Sequence, residues 1–543
     1  MQITEIPTQP IAGQKAGTSG LRRRTRDYMA PMFLENYVQA IIDGSGGASG
    51  KTYVLGGDGR YFNETATRLI LRILAGNGAA AVIVGQGGLL STPAASHLIR
   101  KMGADGGFIL SASHNPGGID ADFGLKYNMA NGGPATETVT EAIFAATRAI
   151  TCVRMADSAD IDLQSLGNVQ LGDMQIQVVD PVSDYVALME DLFDLDAIAR
   201  LFAGGFTMRF DAMHAVTGPY ARAVLVDRCG ASPDSVMNAT PLPDFGGGHP
   251  DPNPIWAHEL MAIMQGPDAP DFGAASDGDG DRNMIVGRGQ YVTPSDSLAL
   301  IADQAHLARG YARGLSGVAR SMPTSGAVDL VAKAKGIACF ETPTGWKFFG
   351  NLLDSGQITL CGEESAGTGS DHIREKDGLW AVLMWLNIIA VSGRSVADLM
   401  AAHWQAYGRN YYSRHDYEEV DSDIADTLME DLRGRLADLP GQSFAGMKVT
   451  AADDFAYDDP VDGSRSVQQG LRLFFDGGAR AVLRLSGTGT SGATLRVYLE
   501  RIVTDAGNLH QDAGAMLAPL AAAVDAIAGI AQRTGRNAPD VTT

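Results

Sequence analysis

Three times along this chain of 543 residues a short apolar run breaks into a loop of small, charged and hydroxyl side chains: GFIL into SASHNPGG, FGAA into SDGDGDRN, and QITL into GEESAGTGSDH. Runs this short, bounded by turn residues, read as buried strands rather than helices. Open α/β sheets take ligands outside the carboxyl ends of their strands, so each loop falls where a ligand sits, and three such loops can surround one cleft. The flanking sequence fits that frame. TYVLGGDGR reads as a strand and loop, NETATRLILRILAGNG as a helix with an Asn cap and a Gly stop, and AAVIVG as a further strand. The alternation returns from IQVVD through helices over YVALMEDLFD and YARAVLVDRCG, and again from SGVARSMP through helices over VDLVAKAKG and GWKFFGNLLDSG. From about Asn410 the pattern changes to alternating strands (NYYSRHDYEEV, LRLFFDGG, ARAVLRLSG, ATLRVYLE) closed by an amphipathic helix in MLAPLAAAVDAIAGIA. The expected fold is α/β, with three related α/β domains of mixed sheets and a C-terminal α+β domain around a central cleft. The expected boundaries are 1–180, 181–293, 294–409 and 410–543.

Charge narrows the choice of partner. A net charge of −21 repels nucleic acid, and no Lys/Arg tract argues otherwise, so an anionic ligand needs a local basic cluster. No apolar run is long enough to span a bilayer, and MQITEIPTQPIAGQKAGTSG lacks the apolar core of a signal peptide. Cys152, Cys229, Cys339 and Cys361 show neither CxxC nor metal spacing. Free thiols in a reducing compartment follow, and the cytoplasm is the expected location.

SDGDGDRN spaces Asp277, Asp279 and Asp281 two apart with glycines between, so that a tight turn can aim three carboxylates at one hard cation such as Mg²⁺. An EF-hand fails here, because its sixth position is Arg282 and its twelfth Arg288. An acidic surface loop is the plain alternative. RLSGTGTSGATLRVYLE contains a literal GxGxxG, but a dinucleotide site needs a helix next and ATLRVYL alternates as a strand. What remains is a glycine and hydroxyl loop with Ser486, Thr488, Thr490 and Ser491 between Arg484 and Arg496, either a phosphate cradle or an ordinary hairpin. GEESAGTGSDHIREKDG offers Glu363 and Ser365 to sugar hydroxyls and His372, Arg374 and Lys376 to a phosphate or a proton. KAGTSGLRRR adds Arg22. Ser113 in SASHNPGG lacks the glycine flanks of a GxSxG elbow; it suits phosphoryl transfer, with Lys126 and the aspartate loop neutralising charge, or a simple capped turn.

Taken together, KAGTSGLRRR, SASHNPGG, SDGDGDRN, ETPTGWKFFGNL, GEESAGTGSDHIREKDGLW and RLSGTGTSGATLRVYL, in this order and over nearly the whole chain, resemble the α-D-phosphohexomutase superfamily. The resemblance implies a heart-shaped four-domain enzyme that interconverts glucose 1-phosphate and glucose 6-phosphate. Carried over by position, Ser113 is the phosphoserine and, with Asp277, Asp279 and Asp281, a ligand of Mg²⁺. Arg22, His114, Lys126, Arg282 and Lys376 line the transfer site, Glu363 and Ser365 read the sugar, and Thr344 and Gly345 distinguish its two orientations. His372 joins the substrate contacts, and Arg484, Ser486, Thr488 and Arg496 clamp the phosphate that is not transferred. Two positions depart from the family's habit: Ala16 stands where proline is frequent, and Ala366 where an aromatic is usual among close relatives.

The implied reaction gives the Ser113 phosphoryl to glucose 1-phosphate, forms glucose 1,6-bisphosphate as activator and intermediate, and returns the 1-phosphate to the serine. One hexose phosphate at a time is the partner, and the chain is expected to act as a monomer or weak dimer. Three other readings use the same residues: a mutase of other sugar preference such as a phosphomannomutase, a metal-dependent phosphatase, and a silent sugar-phosphate binder.

Overall fold

The computed structural model describes residues 2–17, 19–158, 161–486 and 492–543. Its first sheet runs Leu21–Arg24, Asp122–Met129, Gly106–Leu110, Thr52–Gly57, Ala81–Leu89, Met174–Val179, Gly167–Leu171, parallel at the centre and antiparallel at both edges. Met174–Val179, the IQVVD segment, therefore completes the first sheet rather than opening the second. The second sheet is built around Met208–Asp211, Phe272–Ser276 and Asn283–Gly287, and the third around Gly317–Ser321, Leu360–Gly362 and Thr368–Ser370. Both mix parallel and antiparallel pairs. The fourth is seven-stranded, with Leu471–Phe475, Ala479–Ser486, Ala493–Val503 and Arg409–Val420 antiparallel at its centre.

One helix shares a core with the first three sheets. Gly378–Ser392, GLWAVLMWLNIIAVS, is apolar on every side, the mark of a helix enclosed by protein rather than lying on a surface. Asp377 caps it by accepting from the Trp380 N–H, and Trp380 and Trp385 are wholly buried. Their core also takes in Val54, Phe210, Phe272, Val318 and Leu360, residues of all three sheets. Among the described residues no single helix is long and apolar enough to cross a membrane. The fourth sheet keeps its own core around Tyr411, Leu473, Val497 and Leu520 and is fastened to the third by ion pairs and by a small apolar cluster of Met322 and Phe348 with Phe455, Val482 and Tyr498. Glu341 takes Arg472 at 2.6 Å and Arg480 at 3.3 Å, while Arg480 also holds Glu500 at 2.7 Å.

Two local expectations are corrected. Asn63 is not a cap: the helix Asn63–Gly76 starts at that residue, after Phe62 in the left-handed region, and the Asn63 amide donates instead to Gly88 O. The segment YARAVLVDRCG is α-helical only to Ala221 and continues as a wider π-turn over Arg222–Arg228. That bulge registers in hydrogen bonds, not in the spacing of apolar residues.

Asp296 gives the third domain a pH dependence. Burial pushes its carboxyl up to about 6, against the pull of Arg409 and the Trp404 indole. Between its ordinary 3.8 and about 6 the unfolded chain releases a proton that the folded chain keeps, so this group's contribution is complete below 3.8 and lost as pH rises through about 6. Asp296→Asn removes that dependence. Relative to the parent, its melting midpoint is expected to be higher at about pH 7.5 than at about pH 4, a swing on the order of 3 kcal/mol, read by calorimetry at both pH values.

Candidate active site

The three loops occupy equivalent places. Gly106–Leu110, Phe272–Ser276 and Leu360–Gly362 each turn back into an antiparallel neighbour, Asp122–Met129, Asn283–Gly287 and Thr368–Ser370. The loops between those pairs meet. Ser113 Oγ donates to Asp277 Oδ2 at 2.9 Å, and the Asn283 N–H donates to Ala366 O at 3.0 Å. Close approach needs the glycine at position 278, where a Cβ would stand 2.4 Å from Ser113 O.

Asp277, Asp279 and Asp281 are all buried. Among the described residues they form the one group of His, Cys or acidic side chains whose ligand atoms lie within 4.8 Å of one another. Burial, then repulsion from Asp281 and Asp279, pushes the Asp277 carboxyl well above the usual range. Asp279 goes the other way: against its burial, the Lys126 ammonium at 2.5 Å and the Thr92 hydroxyl at 2.6 Å hold it down. Asp279 Oδ1 remains buried without a hydrogen-bond donor. A cluster of hard oxygens with an orphaned buried acceptor and a carboxyl strained by like charge fits a divalent cation.

Positive charge rings this cluster. Lys126 lies 3.4 Å and Lys376 3.3 Å from Asp281, and Arg282 sits 3.9 Å from Asp277 and 3.6 Å from Asp251. Arg22 reaches Asn115 Oδ1 at 3.5 Å. His114, 3.5 Å from Ser113 Oγ, is pushed well below its usual pKa by burial and then by Arg282 and Arg22. A neutral imidazole among cations reports a local field suited to an anion, inside a chain whose net charge is −21. Glu363 is buried beside them, accepts the Gly345 N–H at 3.1 Å, and has its carboxyl raised by burial. The Thr344 hydroxyl is buried with no partner. Ser365 is half-buried on the loop before Ala366, which adopts a φ of 71°.

His372 does not join this group. Its Nδ1 pairs with Ser370 Oγ at 2.7 Å, its Nε2 with Asp377 at 3.0 Å, and its ring stacks on Trp380, so it orders the start of the central helix instead of facing a ligand. Arg374 is likewise spent on Asp354, Asp371 O and Ile373 O.

A second cationic face lies on the fourth sheet. Arg484 and Arg496 stand directly opposite each other across neighbouring antiparallel strands, an arrangement that is costly unless an anion or carboxylate offsets it. Asp416 lies 3.6 Å from Arg496 and 3.0 Å from Arg414, an arginine the sequence reading did not single out. The Tyr498 hydroxyl beside them is buried without a partner. Arg414 and Tyr498 carry no motif: they are register partners on two strands far apart in sequence. Ser486 ends the strand Ala479–Ser486, and Thr488 lies outside the described residues. The adjacent Glu363 and Glu364 divide their attention. Glu363 interacts with Lys376 and Arg282, whereas Glu364 interacts with Tyr498 and Tyr412 of the fourth sheet.

The same arrangement recurs in known proteins. Family descriptions of phosphoglucomutase/phosphomannomutase alpha/beta/alpha domains I, II and III match residues 13–153, 183–290 and 293–407, and that of the phosphoglucomutase-1 C-terminal domain matches 409–540. A phosphoglucomutase of Rhizobium radiobacter is 58% identical over 541 residues, and human phosphoglucomutase-1 is 47% identical over 566, each alignment covering 100% of both chains. The open form of parafusin, a phosphoglucomutase from Paramecium, superposes with a TM-score of 0.92 at 46% identity, covering 100% of this chain and 99% of that one. With the loops, their mutual placement and these full-length matches in agreement, the chain belongs to the α-D-phosphohexomutase superfamily, on its phosphoglucomutase branch.

Proposed function

We propose that this protein interconverts glucose 1-phosphate and glucose 6-phosphate through a phosphorylated Ser113 and a glucose 1,6-bisphosphate intermediate. The observation that carries the reading is the contact of Ser113 Oγ with the buried aspartate cluster inside a ring of lysine and arginine. In the first step the bond between phosphorus and Ser113 Oγ breaks as one forms to the sugar 6-hydroxyl oxygen; that hydroxyl's proton is the one the serine oxygen regains. The bisphosphate turns end for end, and its 1-phosphoryl returns to Ser113 by the reverse exchange. Phosphoryl transfer asks the protein for alignment and charge neutralisation more than for covalent chemistry.

Asp277, Asp279 and Asp281 with the Ser113 oxygen would hold Mg²⁺, which supplies neutralisation of the phosphoryl oxygens when bound. Lys126 stays an ammonium, since Asp279 and Asp281 hold its pKa up against burial, and it serves as a fixed positive charge. His114, Arg22, Arg282 and Lys376 orient the transferred group. Glu363 and Ser365 take sugar hydroxyls, and Thr344 and Gly345 lie beside Glu363 to accept either orientation. Arg484, Ser486 and Arg496 on adjoining strands, with Thr488 between them in sequence, hold the distal phosphate, and Arg414 and Tyr498 complete that clamp. A clamp of guanidinium forks suits either phosphate of the bisphosphate, because it reads charge and oxygen geometry rather than the carbon beyond. We assign the working units to 1–180, 181–293, 294–409 and 410–543, each contributing one loop to the cleft. The four cysteines, all free thiols, favour the cytoplasm as the site of action.

Three outcomes follow. Mg²⁺ titrated into the stripped protein raises its melting temperature, and Asp279→Asn abolishes that shift and nearly all turnover; an undiminished shift in the variant counts against the metal site. Glucose 1-phosphate is converted much faster than mannose 1-phosphate, and Glu363→Ala narrows the ratio of kcat/KM between them; equal rates in the parent would favour the phosphomannomutase reading. Arg496→Ala raises KM for glucose 1-phosphate by about 10-fold or more, the loss of one charge-assisted contact, with a smaller effect on kcat.

A further inference from the structure

Ser113 holds its backbone in the left-handed region at φ 54°, where residues other than glycine rarely settle unless their surroundings force them. The forcing contacts are visible. The Ser113 N–H donates to Ser111 Oγ at 2.7 Å, and the Ser113 carbonyl accepts from Arg60 Nη2 at 2.8 Å. Arg60 spends its other donors as fully: Nη1 goes to Asp122 O at 2.9 Å and Nε to Asp58 at 2.9 Å. Burial pushes the Asp58 carboxyl up, and Arg60 and then Ser111 beside it hold it down. Both backbone polar groups of Ser113 are thus held by buried side chains, the N–H by Ser111 and the carbonyl by an Arg60 that is itself anchored on Asp58. Asp58, Arg60 and Ser111 are all buried, at 0, 1 and 0% exposure. The guanidinium further lies 5.2 Å from the centre of the Phe245 ring, and a Cβ added at residue 117 or 278 would touch that same ring. Arg60 therefore sits where the serine loop, the aspartate loop and the segment around Phe245 converge.

We propose that Arg60, anchored by Asp58, is a positioning residue for phosphoryl transfer: it pins the Ser113 carbonyl and so aims Oγ at the aspartate cluster and the incoming hydroxyl. This rests on the reading of Ser113 as the phosphoryl carrier. Arg60 touches neither sugar nor phosphate. Its effect reaches the reaction through the direction of one Cα–Cβ bond, and in-line displacement is sensitive to that direction. Lysine cannot replace it, because a single ammonium cannot span two carbonyls and a carboxylate in a fixed plane.

The test compares the parent with Arg60→Lys and Ser111→Ala, all with Mg²⁺, by two measurements: transfer of labelled phosphate from glucose 1,6-bisphosphate to Ser113, and kcat with KM for glucose 1-phosphate. In Arg60→Lys, labelling rate and kcat are expected to fall together on the order of 100-fold, with KM within about twofold because the clamp and Glu363 are untouched. Ser111→Ala leaves the buried ion pair intact and is expected to show the same split at smaller size, so the inference stays testable if the arginine variant does not fold. Parental kcat and labelling rate in either folded variant overturn it, as does a rise in KM matching the fall in kcat. A parent that never takes label on Ser113 overturns the phosphoserine reading first, and this inference with it; a labelled parent with an equally labelled Arg60→Lys overturns this inference alone.

Discussion

Everything in the cleft depends on bringing Ser113 Oγ against three carboxylates that repel one another. The hydroxyl lies 2.9 Å from Asp277, and the three acids share a volume in which their ligand atoms are within 4.8 Å. Such a cluster is tolerable in a buried site only with compensating charge. Lys126 and Lys376 supply part of it as side chains delivered by the first and third domains to a loop of the second. The unpartnered Asp279 Oδ1 marks where more belongs. The core helix Gly378–Ser392 starts two residues after Lys376, packs on strands of the second and third sheets, and belongs to a core that also takes in Val54 of the first.

The fourth domain faces a different constraint. It is joined to the third domain by ion pairs from Glu341 to Arg472 and Arg480, beside a small apolar cluster in which Met322 and Phe348 meet Phe455, Tyr457, Val482 and Tyr498. Ion pairs at such a boundary hold orientation at modest energetic cost and are weakened by salt, unlike apolar packing. Glu363 and Glu364 stand near this seam, Glu363 accepting from the Gly345 N–H and Glu364 from the Ser321 hydroxyl.

Much of this was legible in the sequence because the chemistry is contiguous: Asp277 to Asp281, Ser113 with His114, and Glu363 with Ser365 each occupy one loop after one buried strand. The fold class was legible for the same reason, since each loop announces a strand end. What escaped notice depends on partners far apart in the chain. Arg60 and Ser113 are joined by a bond across 53 residues, and Arg414 meets Tyr498 only through strand register. His372 has basic and polar neighbours in sequence, but its partners Ser370, Asp377 and Trp380 turn it inward. Asn63 shows the same limit at short range, where a distant carbonyl, Gly88 O, outcompeted the capping role.

In the proposed mechanism the phosphoryl group passes through Ser113 in every turnover. The direct measurement is rapid-quench transfer from enzyme labelled with phosphate on Ser113, mixed with unlabelled glucose 1-phosphate in the presence of Mg²⁺. Label is expected to leave the serine and appear in glucose 1,6-bisphosphate and glucose 6-phosphate at least as fast as kcat. Label that stays on Ser113 while product accumulates would contradict it.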